Sequence, residues 1–278
     1  MSLNNQEMRE LSLREIQIAE FNVLKRIKEL CEELNIHYYI MFGTLLGAVR
    51  HKGFIPWDDD IDIMMFRNDY EKLIQYCNTN TELLAPFRLH HYSNDKKYIY
   101  PIARFSDTRY YVDYNTAENY NLGLFVDIYP FDGAGNTREE ARRIAKHQRR
   151  LIVPICYGGL KSVTKSINGG FRTLLKYVMY YSVRIVGVHN LIKWADNNAK
   201  RISIDDSKYV ENTCWELEPY KMFTYSDFGA GIELEFEGEF FRAPVNFDKI
   251  LSSYYNNYME LPAEEDRVGH HYYKAYEK

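Results

Sequence analysis

Cysteine is scarce in this 278-residue sequence, and long apolar runs are missing from it. The four cysteines, Cys31, Cys77, Cys156 and Cys214, are widely separated, and no pair has the spacing of a zinc finger or a redox motif. We therefore expect reduced cysteines, as in a protein of the cytosol. No stretch reaches the ~18 consecutive apolar residues of a membrane-spanning helix, and the polar N-terminus lacks an apolar signal core. These absences predict a cytoplasmic protein.

Acidic residues are absent from one long segment. Between Ala141 and Ala195 there is no Asp or Glu, whereas the segment carries 11 Lys and Arg residues. Apolar residues recur there at helical spacing, namely Phe171, Leu174, Leu175, Val178, Met179, Ile185 and Val186. A basic amphipathic helix of this kind can lie on an anionic membrane, which would make the protein peripheral at the inner face of the plasma membrane. Alternatively, the helix packs on the core with its basic residues facing acidic parts of the same protein.

The bulk composition is that of a globular protein. Hydrophobic residues make up 46% of the chain and charged residues 27%, so a sizeable core is expected. The length fits one large domain, or one domain with a helical appendage. The net charge of −4 says little about partners, and no nucleic-acid partner is predicted.

The pattern of short strands and longer helices predicts an α+β protein. Ser12 and Glu15 have capping-box spacing, which predicts a helix from about Ser12 to Asn35. Further helices are predicted at 44–49, 69–77 and 246–258. Apolar or aromatic runs predict strands at 37–42, 61–66 and 124–129, with the last ended by Pro130, and antiparallel strands within 87–112.

The segment 43–63 carries the candidate chemistry, because four aspartates lie within five residues, at 58, 59, 60 and 62. Side chains alternate faces along a strand, so Asp60 and Asp62 are predicted to point the same way. Two adjacent carboxylates repel each other unless a positive charge lies between them. A hard cation resolves the conflict, and Mg²⁺ (or Mn²⁺) is suitable because it binds one or two carboxylates together with waters and phosphate oxygens.

Three neighbouring features agree with a phosphate-handling site. Gly43 and Thr44 lie where a predicted strand meets a helix, whose first N–H groups favour phosphate. Arg50, His51 and Lys52 add positive charge. Asp127 lies between Val126 and Ile128 on an apolar strand, where burying a carboxylate is costly unless it is paired or binds a cation. The alternative is a solvated acidic turn, which an isolated Asp-x-Asp usually is.

These residues carry a family resemblance. The run from Gly43-Thr44 through Arg50-His51-Lys52 to Pro56-Trp57-Asp58-Asp59-Asp60-Ile61-Asp62 resembles the signature of the LicD family, which has the nucleotidyltransferase fold. Further similarity covers 125–132, 236–238 and 258–262, with Arg267 and His270, so it spans about residues 12–272. The resemblance implies a mixed β-sheet flanked by helices with a helical basic insertion. It implies a catalytic core at 1–140, a basic helical segment at 141–205 and a C-terminal part at 206–278 that completes the domain.

The resemblance also implies a reaction. The LicD family includes bacterial phosphocholine transferases and, more distantly, transferases of ribitol phosphate, so we expect a CDP-linked donor, CDP-choline or a CDP-polyol, and release of CMP. The acceptor would be a hydroxyl of a glycan or lipid-linked glycan, such as lipopolysaccharide, teichoic acid or a capsule precursor. Asp60, Asp62 and Asp127 would bind the metal, and Asp127 or Asp58 could accept the hydroxyl proton. Candidate phosphate ligands are Gly43, Thr44, Arg50, His51, Lys52, Arg267 and His270.

Two other functions stay open. A nucleotidyltransferase with the same carboxylates would move the nucleoside monophosphate itself to a hydroxyl or phosphate acceptor. A non-catalytic protein would use the basic segment to hold an anionic polymer or membrane. The set of Asp60, Asp62 and Asp127 favours an enzyme over the second alternative.

Overall fold

The structure is a computed structural model that describes residues 8–114, 122–158, 160, 170–215, 221–269 and 273–278. Its helices are α1 (Leu13–Leu34), α2 (Phe42–His51), α3 (Arg67–Thr79), α4 (Arg138–Gly158), α5 (Gly170–Val186), α6 (Val188–Ala199), α7 (Tyr225–Phe228) and α8 (Phe247–Tyr255). Its strands are β1 (Arg9–Glu10), β2 (Tyr39–Ile40), β3 (Asp62–Phe66), β4 (Phe87–His90), β5 (Ala103–Asp107), β6 (Tyr110–Tyr114), β7 (Leu124–Gly133), β8 (Tyr209–Glu211), β9 (Phe223–Thr224), β10 (Ile232–Phe236), β11 (Glu239–Ala243) and β12 (Tyr273–Glu277).

The central sheet has the strand order β2-β3-β7-β5-β4, with β8 and β9 continuing from the end of β7. Strands β3 and β7 are parallel, and the other pairs of this sheet are antiparallel. Helices α1 and α3 pack on this sheet, and the main core lies between these layers. The α+β class is therefore confirmed.

The first helix forms as its sequence predicts. The Ser12 side chain accepts a hydrogen bond from the backbone of Glu15, and the Glu15 carboxylate binds the Ser12 backbone in return. At the other end, Asn35 adopts the left-handed conformation that closes a helix. Between these caps the buried face of α1 includes two polar residues, Gln17 and Glu20.

Three predicted strand boundaries are wrong. The strand predicted at 37–42 is only Tyr39–Ile40, because Phe42 already begins α2. The strand predicted to start at 61 starts at Asp62, so Asp60, which was predicted to share a strand face with Asp62, lies two residues before the strand. Pro130 does not end β7, which continues to Gly133. Backbone N–H groups alternate between the two neighbouring strands, and that of Asp127 points towards β3. The nitrogen of Pro130 therefore faces the β5 side, where the pairing with β5 has already ended at Ile128. No hydrogen bond is lost there, so β7 tolerates the proline.

The acid-free segment folds into α4, α5 and α6, which share a small core of their own. That core is formed by Ile152, Ile155, Val183, Leu191, Ile192 and Ala195. The described part of the chain contains no helix with the length and apolarity needed to cross a bilayer. Of the predicted apolar face, Met179 packs against this core, whereas Leu174, Leu175, Val178, Ile185 and Val186 are exposed. The side chain of Phe171 lies outside the description.

A buried ion network joins these helices to the sheet. The Arg67 guanidinium donates to both carboxylate oxygens of Asp132 at 2.7 Å, and to Asp196 of α6 at 2.9 Å. All three side chains are buried. Lys200 also pairs with Asp196 at 2.6 Å. The network fixes α6 against the beginning of α3 and the end of β7.

Candidate functional site

A row of charged side chains crosses three adjacent strands of the central sheet. Asp62 on β3 pairs with Asp127 on β7, and Asp127 pairs with Arg104 on β5. Partners in a ladder project from the same face of a sheet, so the three side chains are neighbours. Arg104 Nε donates to Asp127 Oδ1 at 2.6 Å, and Tyr100 and Phe125 cover its guanidinium. Asp127 thus meets Asp62 on one side and a buried cation on the other.

The carboxylates of Asp58, Asp60 and Asp62 line one cleft of about 650 Å³. Asp58 and Asp60 belong to the segment before β3, so strand alternation is not what brings Asp60 beside Asp62. The Asp58 carbonyl accepts a hydrogen bond from Gln17 Nε2 at 2.7 Å, and the Asp58 N–H donates to the Ile55 carbonyl. These bonds hold the segment so that its carboxylates enter the cleft.

Burial and, after it, mutual repulsion raise the pKa values of Asp60 and Asp62. Removal from solvent, with the nearby charges of Asp58 and Asp127, raises the pKa of Asp60 to about 7. Burial and the charges of Asp60, Asp127 and Asp58 raise the pKa of Asp62 well above its usual value. Asp58 and Asp60 are hydrogen-bonded to each other, which requires one of them to hold a proton. A cation between the carboxylates would replace that proton.

A second acidic layer lies behind the cleft. Asp59 points away from it, hydrogen-bonds Tyr273, and is fully buried. Burial and the charges of Asp60 and Asp58 raise the pKa of Asp59 to about 8. Glu20 of α1 also contacts the Tyr273 hydroxyl at 3.4 Å, and burial raises its pKa strongly. A buried glutamate within the apolar stripe of a helix is a sequence signal that could have found this layer.

Gly43 and Thr44 have different roles. A Cβ atom at Gly43 would lie 2.9 Å from Asp58 Oδ2, so the absent side chain makes room for that carboxylate. The Thr44 hydroxyl accepts the Asp62 N–H at 2.8 Å and is buried. Thr44 therefore positions Asp62, and a direct contact with phosphate stays a prediction for Gly43, which lines the cleft.

The three basic residues at the end of α2, Arg50, His51 and Lys52, separate in space. Arg50 lines the cleft and donates to the carbonyls of Tyr258 and Glu260 at 2.9 and 3.2 Å. Burial, together with the Arg50 charge, lowers the pKa of His51. Lys52 adopts a left-handed conformation at the end of α2, and its side chain is exposed. Lys52 does not line the cleft.

The opposite wall of the cleft comes from the C-terminal part of the chain. Tyr255, Tyr258 and the segment at 260–262 face the aspartates, and Phe42 and Trp57 complete an aromatic lining. The Arg267 guanidinium lies over the Trp57 ring, 5.8 Å from its centroid. His270, a predicted ligand, lies outside the described residues. The sequence did not predict which aromatic residues line the cleft, because its 25 tyrosines are spread along the whole chain and form no local cluster.

Comparison with known proteins identifies the family. The model described as "LicD/FKTN/FKRP, nucleotidyltransferase domain" matches residues 35–157. The lipopolysaccharide cholinephosphotransferase LicD of Haemophilus influenzae is 30% identical over 97% of this chain and 99% of its own. This chain belongs to the LicD family. Its matched domain contains every cleft aspartate from Asp58 to Asp62, as well as Asp127 and Arg104.

Shorter matches involve two rickettsial proteins. Uncharacterized proteins of Rickettsia prowazekii and Rickettsia typhi are each 48% identical to this LicD-family chain over 52 residues. These matches cover 19% of this chain, and 20% and 17% of the two relatives. They therefore add no functional argument to the full-length match.

The carboxylates of the cleft can supply some, but not all, of the ligands of a metal ion. Among the residues that the structure describes, no three acidic, histidine or cysteine side chains are already arranged as a metal site. Asp127 is turned towards Arg104, which leaves the carboxylates of Asp58, Asp60 and Asp62 in the cleft. Mg²⁺ needs only one or two carboxylates when substrate phosphates and waters supply its other ligands. The cluster fits that kind of site better than a closed protein cage.

Proposed function

We propose that this LicD-family protein transfers phosphocholine from CDP-choline to a hydroxyl of a cell-envelope glycan and releases CMP. The observation that carries the proposal is the cluster of Asp58, Asp60 and Asp62 on one wall of an aromatic cleft. The alignment with a lipopolysaccharide cholinephosphotransferase, over 97% of this chain, supports the same reaction. The acceptor we favour is therefore a lipopolysaccharide or a related glycan, modified in the cytoplasm.

Asp60 and Asp62 would hold Mg²⁺ or Mn²⁺, with Asp127 behind them as a further carboxylate. When bound, the ion neutralises charge on the diphosphate. Tyr129 hydrogen-bonds Asp62, and Thr44 holds its backbone, so the Asp62 carboxylate is oriented before substrate arrives. Arg50 lines the same cleft and can bind phosphate oxygens.

In the reaction, the acceptor oxygen bonds to the phosphorus of the phosphocholine group. The bond from that phosphorus to the oxygen bridging it to CMP breaks, and CMP leaves with the bonding electrons. The hydroxyl proton passes to a carboxylate. Asp58 is the better candidate for this base, because it lines the cleft, whereas Asp127 is engaged by Arg104.

The choline group suits the aromatic wall. A quaternary ammonium is attracted to the faces of Trp and Tyr rings, more strongly when it is desolvated. Trp57, Tyr255 and Tyr258 line the cleft, and Trp57 already has a guanidinium over its face. Glu260 and Asp266 add carboxyl groups to the same lining. A neutral polyol such as ribitol would gain no cation–π attraction from this arrangement, so we favour CDP-choline over a CDP-polyol.

The test is a screen of CDP-choline, CDP-ribitol and CDP-glycerol with the purified protein, an added glycan acceptor and Mg²⁺. We expect CMP release and a phosphocholine-modified acceptor with CDP-choline, both abolished by EDTA and restored by Mg²⁺. Asp60→Asn and Asp62→Asn should abolish transfer without unfolding the protein. Asp205→Asn, at an exposed carboxylate far along the chain, is the matched control and should leave transfer unchanged.

The products discriminate between the alternatives. A CMP-modified acceptor, or pyrophosphate released from a nucleoside triphosphate, would establish nucleotidyl transfer instead. Near-normal transfer in either Asp60→Asn or Asp62→Asn would remove the metal assignment. Binding of anionic polymer without turnover of any donor would support the non-catalytic alternative.

A further inference from the structure

Helix α5 has one packed face and one exposed face. Val183 and Tyr180 are buried, and Val183 belongs to the small core formed by α4, α5 and α6. On the other side, Leu174, Val178, Tyr181 and Ile185 are between 57 and 86% exposed. These four side chains therefore make no contribution to the small core.

The four exposed side chains form a continuous stripe. Their spacing along the chain is four, three and four residues, which places them on one face of an α-helix. At a rise of ~1.5 Å per residue, the stripe is about 16 Å long. Leu175 and Tyr177 are also exposed beside it. Isolated apolar residues on a surface are ordinary, but a contiguous apolar patch indicates a binding surface.

The charge around the stripe restricts what can bind there. The acid-free segment 141–195 contributes only positive charge; Arg184, next to Ile185 in the chain, and Lys193 of α6 are exposed. A second copy of the same face would bring like charges together. An anionic lipid surface instead offers negative headgroups to the basic residues and acyl chains to the apolar ones. Trp194 of α6 is exposed as well, and Trp is typical of the membrane interface.

We propose that the α5 stripe docks on an anionic bilayer surface and holds the protein there as a peripheral membrane protein. The helix would lie in the interface without crossing it. The assignment rests on the surface of α5 and is independent of the reaction in the cleft. The Arg67–Asp196 pair joins α6 to the central sheet, so docking would also hold the cleft near the membrane.

The test is co-sedimentation with vesicles. The protein should bind vesicles that contain phosphatidylglycerol and should bind pure phosphatidylcholine vesicles much more weakly. Binding should weaken in about 0.5 M NaCl, because salt screens the basic residues. Val178→Glu combined with Ile185→Glu should lower the affinity for anionic vesicles about tenfold or more, since it places carboxylates against the lipid.

The matched control is Leu83→Glu, at a residue that is 77% exposed and lies outside the stripe. This variant should bind as the wild type does. Leu174→Gln with Tyr181→Gln removes two of the four apolar side chains without adding charge, and should weaken binding in the same direction. Because all these side chains are exposed, circular dichroism and Tm should stay unchanged.

Two results would overturn the proposal. One is equal vesicle binding by the wild type and both stripe variants. The other is a lipid-free dimer that Val178→Glu/Ile185→Glu dissociates in sedimentation velocity while vesicle binding is absent, because the stripe would then bind a second copy. Transfer activity in detergent-free solution is a separate readout, and its loss or retention does not bear on docking.

Discussion

Replacing Arg67 with methionine should lower the free energy of unfolding by about 3–5 kcal/mol, because it leaves the buried Asp132 without a cation and leaves Asp196 with Lys200 alone. Arg67 donates to both oxygens of Asp132 and to Asp196, and all three side chains are buried. Methionine keeps most of the side-chain volume, so the cavity contribution should be small. The assay is urea unfolding monitored by tryptophan fluorescence.

A double-mutant cycle tests the cause. Asp132→Asn should itself be destabilising, since it leaves Arg67 with Asp196 alone in the interior. The Arg67→Met/Asp132→Asn protein should lose less stability than the sum of the two single changes, with a coupling of about 1–3 kcal/mol. The matched control is Arg26→Met, which breaks partly exposed surface pairs with Glu29 and Glu33 and should cost no more than about 1 kcal/mol.

The reasoning would be refuted if Arg67→Met cost no more than Arg26→Met, or if the two changes at 67 and 132 were additive. Either result would mean that water or relaxation compensates the buried carboxylates. The expected destabilisation should also expose the α4–α6 helices first, which hydrogen exchange can detect as an early loss of protection in 138–158 and 188–199.

Three further outcomes are expected. Gly43→Ala should reduce transfer at least about tenfold while leaving Tm equal or higher, because its Cβ displaces Asp58 whereas alanine favours the helix; transfer and Tm measured together check this. Thr44→Val should cost about 1–3 kcal/mol in urea unfolding by leaving the Asp62 N–H unsatisfied, and Thr44→Ser should restore most of it. Asp59 has a folded-state pKa of about 8, far above its unfolded value. Between about pH 4 and 8 the unfolded chain loses this proton while the folded protein keeps it, so the free energy of unfolding falls as pH rises. In EDTA, the wild type should therefore lose up to about 4 kcal/mol more than Asp59→Asn between pH 5 and 8, as measured by unfolding at both pH values.

The sequence predicted those features that depend on neighbouring residues. The α1 boundaries follow from the capping box at Ser12 and from Asn35, both of which act within one helical turn. The Asp60 and Asp62 prediction was reached by an inexact route, since Asp60 precedes the strand. Both carboxylates still line the cleft. The turn after Ile55 and the hydrogen bond from Gln17 to the Asp58 carbonyl position the segment before β3, so that strand alternation is not needed.

Features set by distant contacts could not be predicted. Arg104 became the partner of Asp127 through the register of β5 against β7, which nothing local in either strand specifies. Thr44 was interpreted as a phosphate ligand, but the fold turns its hydroxyl towards the Asp62 backbone. The basic segment presented two alternatives because helical periodicity identifies an apolar face without saying whether another element covers it.

The parallel pairing of Asp62 with Asp127 has a consequence for how the charged row of Asp62, Asp127 and Arg104 can vary. Strand registers move only in whole-residue steps: a slip of one would turn Asp127 to the far side of the sheet, and a slip of two would carry it about 7 Å along the strand. Intermediate separations are therefore inaccessible through sliding. Random mutagenesis of the apolar residues that pack β3 against β7 should then yield two groups of variants. One group keeps the row intact, the other loses it, and few variants should have intermediate activity.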